Sequence, residues 1–173
     1  MAIAAILWIG ARRGEISWAL VFDPQAWWLD LLLGVGMTGV LLGTWSLGRS
    51  LTTFDELEQI LGESLADLSP SDLTVLAVIS GVAEELFFRG AVLESWGWLP
   101  SSILFALLHA GPGKVFRIWA FFAFFAALLF AGATLYRGNL AAAILAHVLT
   151  NGIQLHRLHQ QRVEGSSHPG ESV

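Results

Sequence analysis

Two adjacent carboxylates and an arginine, Glu84, Glu85 and Arg89, sit inside a run from Val75 to Leu93 that is otherwise apolar except for the small Ser80. Nothing else in the chain restricts its fold as much. An ionised side chain at the centre of a bilayer-spanning helix costs about 2.5 to 3.5 kcal/mol on insertion scales, so all three must face a protein interior and find partners there. Helical spacing supplies one pair, because Glu85 and Arg89 stand four residues apart with the acid N-terminal, the better orientation for an ion pair. Glu84 points about 100° away around the helix and is left without a cation. A carboxylate in that position is a general base in waiting.

The remaining composition makes a bilayer the natural setting for such a helix. The 173 residues are 55% hydrophobic and only 13% charged, with eight Trp, eleven Phe and eighteen Gly, the profile of a one-domain polytopic membrane protein. The formal charge of -5 draws most heavily on residues 55 to 72, so it says little about partners beyond arguing against nucleic acid. Cysteine is absent, which rules out a disulfide framework, a thiolate metal site and a cysteine nucleophile.

Met1 to Ile9 is apolar but is followed, not preceded, by Arg12 and Arg13, the reverse of signal-peptide charge order. Residues 1–25 are therefore expected to form a frayed or interfacial start, or a truncated span, ended by Asp23-Pro24. The first full span runs from about Ala26 to Gly48, with Trp27, Trp28 and Trp45 near its ends and Asp30 close enough to its start to reach the headgroups. Gly39 and Gly43 form a small-xxx-small pair on one face. Leu51 to Asp72 is polar, and Thr53 with Glu56 makes a capping box before Leu57, Ile60, Leu61 and Leu65, which predicts an amphipathic helix lying on the membrane surface.

Pro70 and Ser71 restart the chain for the motif helix, about Leu73 to Trp96, in which Glu84 is roughly 17 Å from either end. Pro100 opens a further helix that stops at Gly111-Pro112-Gly113, too short for a core of roughly 30 Å. Entering as a half-length helix, it carries His109 down roughly 14 Å, near the depth of Glu84. An aromatic, featureless span from about Ile118 to Tyr136 reads as scaffold. After the turn at Arg137-Gly138-Asn139, the last helix, Leu140 to about His156, sets His147 and Asn151 four apart on one face, with His147 about 11 Å from the start. The tail, residues 159–173, is rich in Ser, Gly and Glu and reads as disordered. The expected architecture is all-α: a polytopic membrane helix bundle of about four full spans, a half-length helix and an interfacial amphipathic helix, with the membrane domain at 26–158. Arg49, Lys114, Arg117, Arg157 and Arg162 fall on one side and Arg12, Arg13 and Arg137 on the other, which makes the five-residue side cytoplasmic.

In a soluble chain a Glu-Glu pair on a helix is usually a solvated face, but the apolar flanks here offer no such face. A lone histidine within a membrane is more often a helix-packing hydrogen bonder than a catalyst; His109 and His147 instead arrive at matched depth from separate helices. His156, His159 and His168 lie at or beyond the last helix end and read as surface residues. Asn151 suits either helix packing or an oxyanion.

Taken together, Glu84-Glu85-x-x-x-Arg89, Phe105-x-x-x-His109 and His147-x-x-x-Asn151 resemble the three ordered motifs of the CPBP intramembrane proteases, relatives of the type II CAAX prenyl endopeptidases. The likeness covers about the C-terminal two-thirds of the chain. It implies an intramembrane endopeptidase in which Glu84 activates water, His109 orients it or binds a metal, His147 and Asn151 hold the oxyanion, and Glu85 and Arg89 support the site. The implied substrate is a membrane protein or lipidated peptide, and the implied location a multi-pass place in the cell (inner) membrane. The chain is shorter than typical members. No dedicated prenyl-binding signature appears, so CAAX substrates follow only from the family name. If a metal is held, zinc on Glu84, His109 and His147 is the implied set, although the histidines lack the paired helical spacing of zincin-type sites. The competing readings are a non-catalytic immunity or peptide- or lipid-binding protein, and a proton-coupled transporter with Glu84 as relay; no internal inverted repeat supports the latter.

Overall fold

The computed structural model describes residues 1–14, 17–50 and 52–167, and within them every regular element is helical. Leu51, at the head of the polar segment, and His168 with the end of the tail lie outside the described residues. In chain order the elements are α1 (Ala2–Arg13), α2 (Trp18–Val21), a 3-10 turn (Pro24–Ala26), α3 (Trp27–Gly48), α4 (Thr52–Ser64) and α5 (Pro70–Glu85). The motif helix continues from α5 through a π-helical segment (Leu86–Leu93) into the single turn α6 (Glu94–Trp96). Then follow α7 (Trp98–Leu108), α8 (Lys114–Arg137) and α9 (Ala141–Ser167).

The start of α5 is chemically defined. The Ser69 hydroxyl accepts from the Asp72 backbone N–H, the Asp72 carboxylate accepts from the Ser69 N–H at 3.0 Å, and Pro70 stands in the first turn, a reciprocal cap with a preset φ. That cap places the start three residues ahead of the expected Leu73. At the other end of the bundle, Gly138 adopts φ 70 and returns its N–H to Thr134 O at 2.8 Å, a left-handed cap that lets α8 reverse into α9.

Small residues bring α3, α8 and α9 together. Ala126 and Ala133 of α8 and Ala142, Ala143 and Ala146 of α9 meet Met37, Leu41 and Phe130 in one buried cluster. Close approach is required at Gly34, where a Cβ would stand 2.7 Å from Leu145, and at Gly81, where it would stand 2.7 Å from Val148 Cγ2 and 3.1 Å from the Val148 backbone nitrogen. Gly39 and Gly43, by contrast, face open space. The close packing that their spacing permits is made elsewhere on the chain.

Several sequence expectations are revised. The N-terminal stretch is an ordered helix: Ala5 and Ile9, on one face of α1, bury themselves against Ala91 and Leu140, while Arg13 pairs with Glu94 and Arg12 with Ser95. Asp30 does not reach outward. It is 3% exposed and its Oδ1 receives Arg137 Nε at 2.7 Å, a partner 107 residues away that local spacing could not reveal. The apolar stripe of α4 is taken up by protein, with Phe54 and Leu57 against Trp45 and Val115 and with Leu65 against Leu73 and Leu158. Pro100 occupies the third position of α7, not the first, and α8 begins at Lys114. Helix α9 continues to Ser167, well past His156 and through the first part of the expected tail; buried Leu158 and a bond from Arg162 Nη1 to Gly62 O at 3.3 Å hold it against α4.

Two stretches, Trp18–Gly48 and Lys114–Arg137, are long and apolar enough to cross a membrane. Outward positions such as Leu32, Val35, Leu47, Ile79, Phe121 and Leu135 remain exposed, as surfaces turned toward hydrocarbon should be.

Candidate active site

Glu84 and Glu85 close the α-helical part of the motif helix, and the π-helical segment begins at the next residue. A π segment widens the helix by one residue per hydrogen-bonded turn and recurs at functional sites. Here it carries Phe88 and Arg89 inward, both within 1% of complete burial. Arg89 Nη1 donates to Glu85 Oε1 at 2.9 Å and Nη2 to Ala127 O at 3.2 Å. Its guanidinium carbon lies 4.7 Å from the Phe105 ring centre and 5.2 Å from that of Phe130, where the ring faces attract a cation. The expected i,i+4 pair is formed, and a fixed aromatic cage surrounds it.

The two histidines are oriented from behind. Nδ1 of His109 lies 2.8 Å from Phe105 O; a carbonyl only accepts, so Nδ1 carries the proton. Nδ1 of His147 lies 2.8 Å from Glu85 Oε1 and likewise donates to a carboxylate. Each ring therefore turns Nε2 forward. Stacking fixes the planes, with Phe105 on His109 at 4.5 Å between centres and Phe130 on His147 at 5.4 Å. Trp119 meets the His109 ring edge-on at 5.4 Å, so the span read as featureless scaffold contributes a wall of the site.

Both Nε2 atoms face one oxygen. Glu84 Oε2 is 4.0 Å from His109 Nε2 and 3.9 Å from His147 Nε2, and this buried oxygen has no hydrogen-bond partner. The separations are too long for direct hydrogen bonds and suit a bridging water. Asn151 Nδ2 donates to Ser80 Oγ at 3.1 Å, which employs one of its two N–H groups and leaves the other for a ligand. Glu84, His109, His147 and Asn151 all line one cavity of about 370 Å³. A larger depression between α4 and α9, lined by Asp55, Glu58 and Arg162 among others, contains none of them.

All four residues singled out for chemistry thus meet in one place, and Glu85 and Arg89 form the layer behind them. Ser80, Thr150 and Gln154 also line the cavity. Of these only Ser80 was conspicuous in the sequence, as the lone hydroxyl ahead of the motif; Thr150 and Gln154 became visible through their turns on α9. Glu84, His109 and His147 present one oxygen and two nitrogen donors of the kinds zinc accepts, though among the described residues no three His, Asp or Glu side chains are already arranged to hold an ion. His156 is occupied differently, with Nε2 3.0 Å from Thr74 Oγ1.

A family model described as type II CAAX prenyl endopeptidase Rce1-like matches residues 67–153, about half of the chain, from the approach to α5 past Asn151. No curated protein and no solved structure matches it.

Proposed function

Because the chain belongs to the type II CAAX prenyl endopeptidase Rce1-like family, a family of membrane-embedded proteases, we propose that it is a multi-pass intramembrane endopeptidase whose attacking water is activated by Glu84. The observation that carries this reading is the convergence of two forward-facing Nε2 atoms on the unpartnered Glu84 Oε2, at 3.9 and 4.0 Å, inside a cavity that also holds Asn151.

A water between these groups gives one proton to Glu84 and directs the other at His109 Nε2, an acceptor because Nδ1 is committed to Phe105 O. Its free lone pair then faces the carbonyl carbon of a peptide bond. As the oxygen adds, negative charge collects on the carbonyl oxygen. The second Asn151 N–H is placed to receive it. His147, held by Glu85 through Nδ1, faces the same oxygen and adds a bond only when its Nε2 also carries a proton. Glu84 next returns the proton to the amine nitrogen, the C–N bond breaks, and a carboxyl and an amine terminus result. Arg89 holds Glu85 in position without touching the reaction.

The substrate class is a membrane-associated protein or peptide, and the chain's place is the cell membrane, with the side carrying Arg49, Lys114 and Arg162 cytoplasmic. The test is purification in detergent with a peptide library, wild type against Glu84→Gln. Cleavage by wild type alone supports the hydrolase. Peptide binding by both proteins with cleavage by neither points to a non-catalytic binding or immunity protein.

A further inference from the structure

Away from its catalytic end the cavity holds a polar group that the reaction does not use. Both the nitrogen and the oxygen of the Gln154 side-chain amide are buried, and neither has a hydrogen-bond partner. Thr150, 6% exposed, is in the same condition at Oγ1. A helical threonine usually turns its hydroxyl to the carbonyl one turn back; the Ala146 carbonyl is instead approached by Thr38 Oγ1 at 3.4 Å. Buried polar groups without partners are few in native proteins and need a reason. Both of these line the cavity.

His147, Thr150, Asn151 and Gln154 recur at i, i+3, i+4 and i+7 and so form one stripe along α9. Gln154 stands about 10 Å further along the axis than His147. Beyond it the cavity ends among Leu61, Leu65, Leu76, Leu155 and Leu158. An extended peptide advances about 3.3 Å per residue, so one with its scissile carbonyl at Glu84 passes Gln154 about three residues away. In an extended chain the N–H and C=O of one residue point to the same side. A carboxamide presents the complementary acceptor and donor.

Building on the endopeptidase reading, we propose that Gln154 is a substrate-binding residue that pairs its carboxamide with the N–H and C=O of one extended substrate residue about three positions from the scissile bond, with an adjacent apolar side chain of the substrate in the leucine-lined end of the cavity. The recognition is of backbone and of greasy bulk. It sets where along a peptide the cut falls.

The test uses the full chain in detergent and fluorescein-labelled short apolar peptides, with the best-handled peptide N-methylated at one position at a time. For wild type, methylation at one position about three residues from the cut should raise KM about tenfold, the loss of one hydrogen bond at a buried site. Gln154→Leu should raise KM for the unmodified peptide by a similar factor with kcat little changed, and should no longer distinguish the N-methylated peptide. Its thermal stability should be unchanged or higher, because an unpaired buried amide has been replaced by an apolar group of similar size. A methylation penalty equal in wild type and variant, or an unaltered KM, overturns the assignment, as does a Gln154→Leu protein that unfolds while Gln154→Glu folds and binds normally. Peptide binding to Glu84→Gln, read by fluorescence anisotropy with and without Gln154→Leu, separates the two ideas. Weakened binding without any wild-type cleavage keeps Gln154 and removes the endopeptidase; cleavage indifferent to Gln154 does the reverse, and neither cleavage nor binding overturns both.

Discussion

His147 Nδ1 lies 2.8 Å from Glu85 Oε1, the same oxygen that Arg89 Nη1 holds at 2.9 Å. One carboxylate oxygen therefore connects a buried cation to the ring that faces the cavity. Arg89 is 1% exposed and Glu85 is 0% exposed, so removing either charge strands the other. Arg89→Ala is expected to cost on the order of 3 to 5 kcal/mol and to lower folded yield. Arg89→Lys should not restore it, since an ammonium cannot reach Glu85 and Ala127 O together from within the aromatic cage. Thermal unfolding in detergent measures the effect, and wild-type stability in Arg89→Ala would show that the pair does not hold the helices together.

Glu84 stands in a different relation to its neighbours. Among the described residues no Arg or Lys forms an ion pair with it, and its side chain is 20% exposed. Glu84→Gln, which keeps the shape and removes the base, is expected to abolish cleavage while leaving unfolding unchanged; His109→Ala and His147→Ala should do the same with the fold retained. Substantial turnover by folded Glu84→Gln would remove Glu84 from the reaction.

Asn151 should separate kcat from KM. Its free N–H meets the carbonyl oxygen most strongly once charge has developed, so Asn151→Ala is expected to lower kcat by about 10² to 10³ with a smaller rise in KM. Ser80→Ala, which removes only the group that accepts from Asn151, should lower kcat by less. A pure KM effect in Asn151→Ala would make the residue a ground-state binder.

Between the motif helix and α9 the contact is close enough to test sterically. A methyl at Gly81 would stand 2.7 Å from Val148 Cγ2 and 3.1 Å from the Val148 nitrogen, and neither the β-branched side chain nor helix backbone yields easily. Gly81→Ala is expected to cost about 1 to 3 kcal/mol. Because Val148 follows His147, activity should fall further than stability alone accounts for. Unchanged unfolding and kinetics would mean that the two helices part without cost.

The site was more legible in the sequence than the packing around it. A charge in an apolar helix is conspicuous because its desolvation must be offset, so Glu84, Glu85 and Arg89 declare themselves, and depth counted along each helix brought His109 and His147 to them. The Asp30–Arg137 pair was hidden by 107 residues of separation, and the π-helical turn by the lack of any composition that marks one. The docking of the N-terminal helix was hidden because Ala5 and Ile9 gain much of their burial from residues far along the chain such as Ala91 and Leu140. For α4 the periodicity was right and the medium wrong: an apolar stripe looks the same whether it meets lipid or Trp45. Helix α9 outran its expected end because Leu158 and Arg162 have partners on α4 that composition does not show.

What lowers the barrier to water attack is testable through metal content. The back of each histidine is held as a metal ligand's would be, His109 by Phe105 O and His147 by Glu85, a support that also fixes ring and tautomer in a metal-free site. The fronts decide between the two. Glu84 Oε2 stands 3.9 and 4.0 Å from the two Nε2 atoms, wider than the roughly 3.4 Å between two ligands of one tetrahedral zinc with bonds of about 2.1 Å, and the two histidines lack the paired helical spacing of zincin-type sites. A water fits those separations without any movement of the helices. Chelation by phenanthroline or EDTA is therefore expected to leave peptide cleavage at its starting rate, and active protein should contain zinc well below one ion per chain. Stoichiometric zinc that is lost on chelation together with activity, and whose return alone restores turnover, would sink the metal-free mechanism and make Glu84, His109 and His147 ligands that move together on binding.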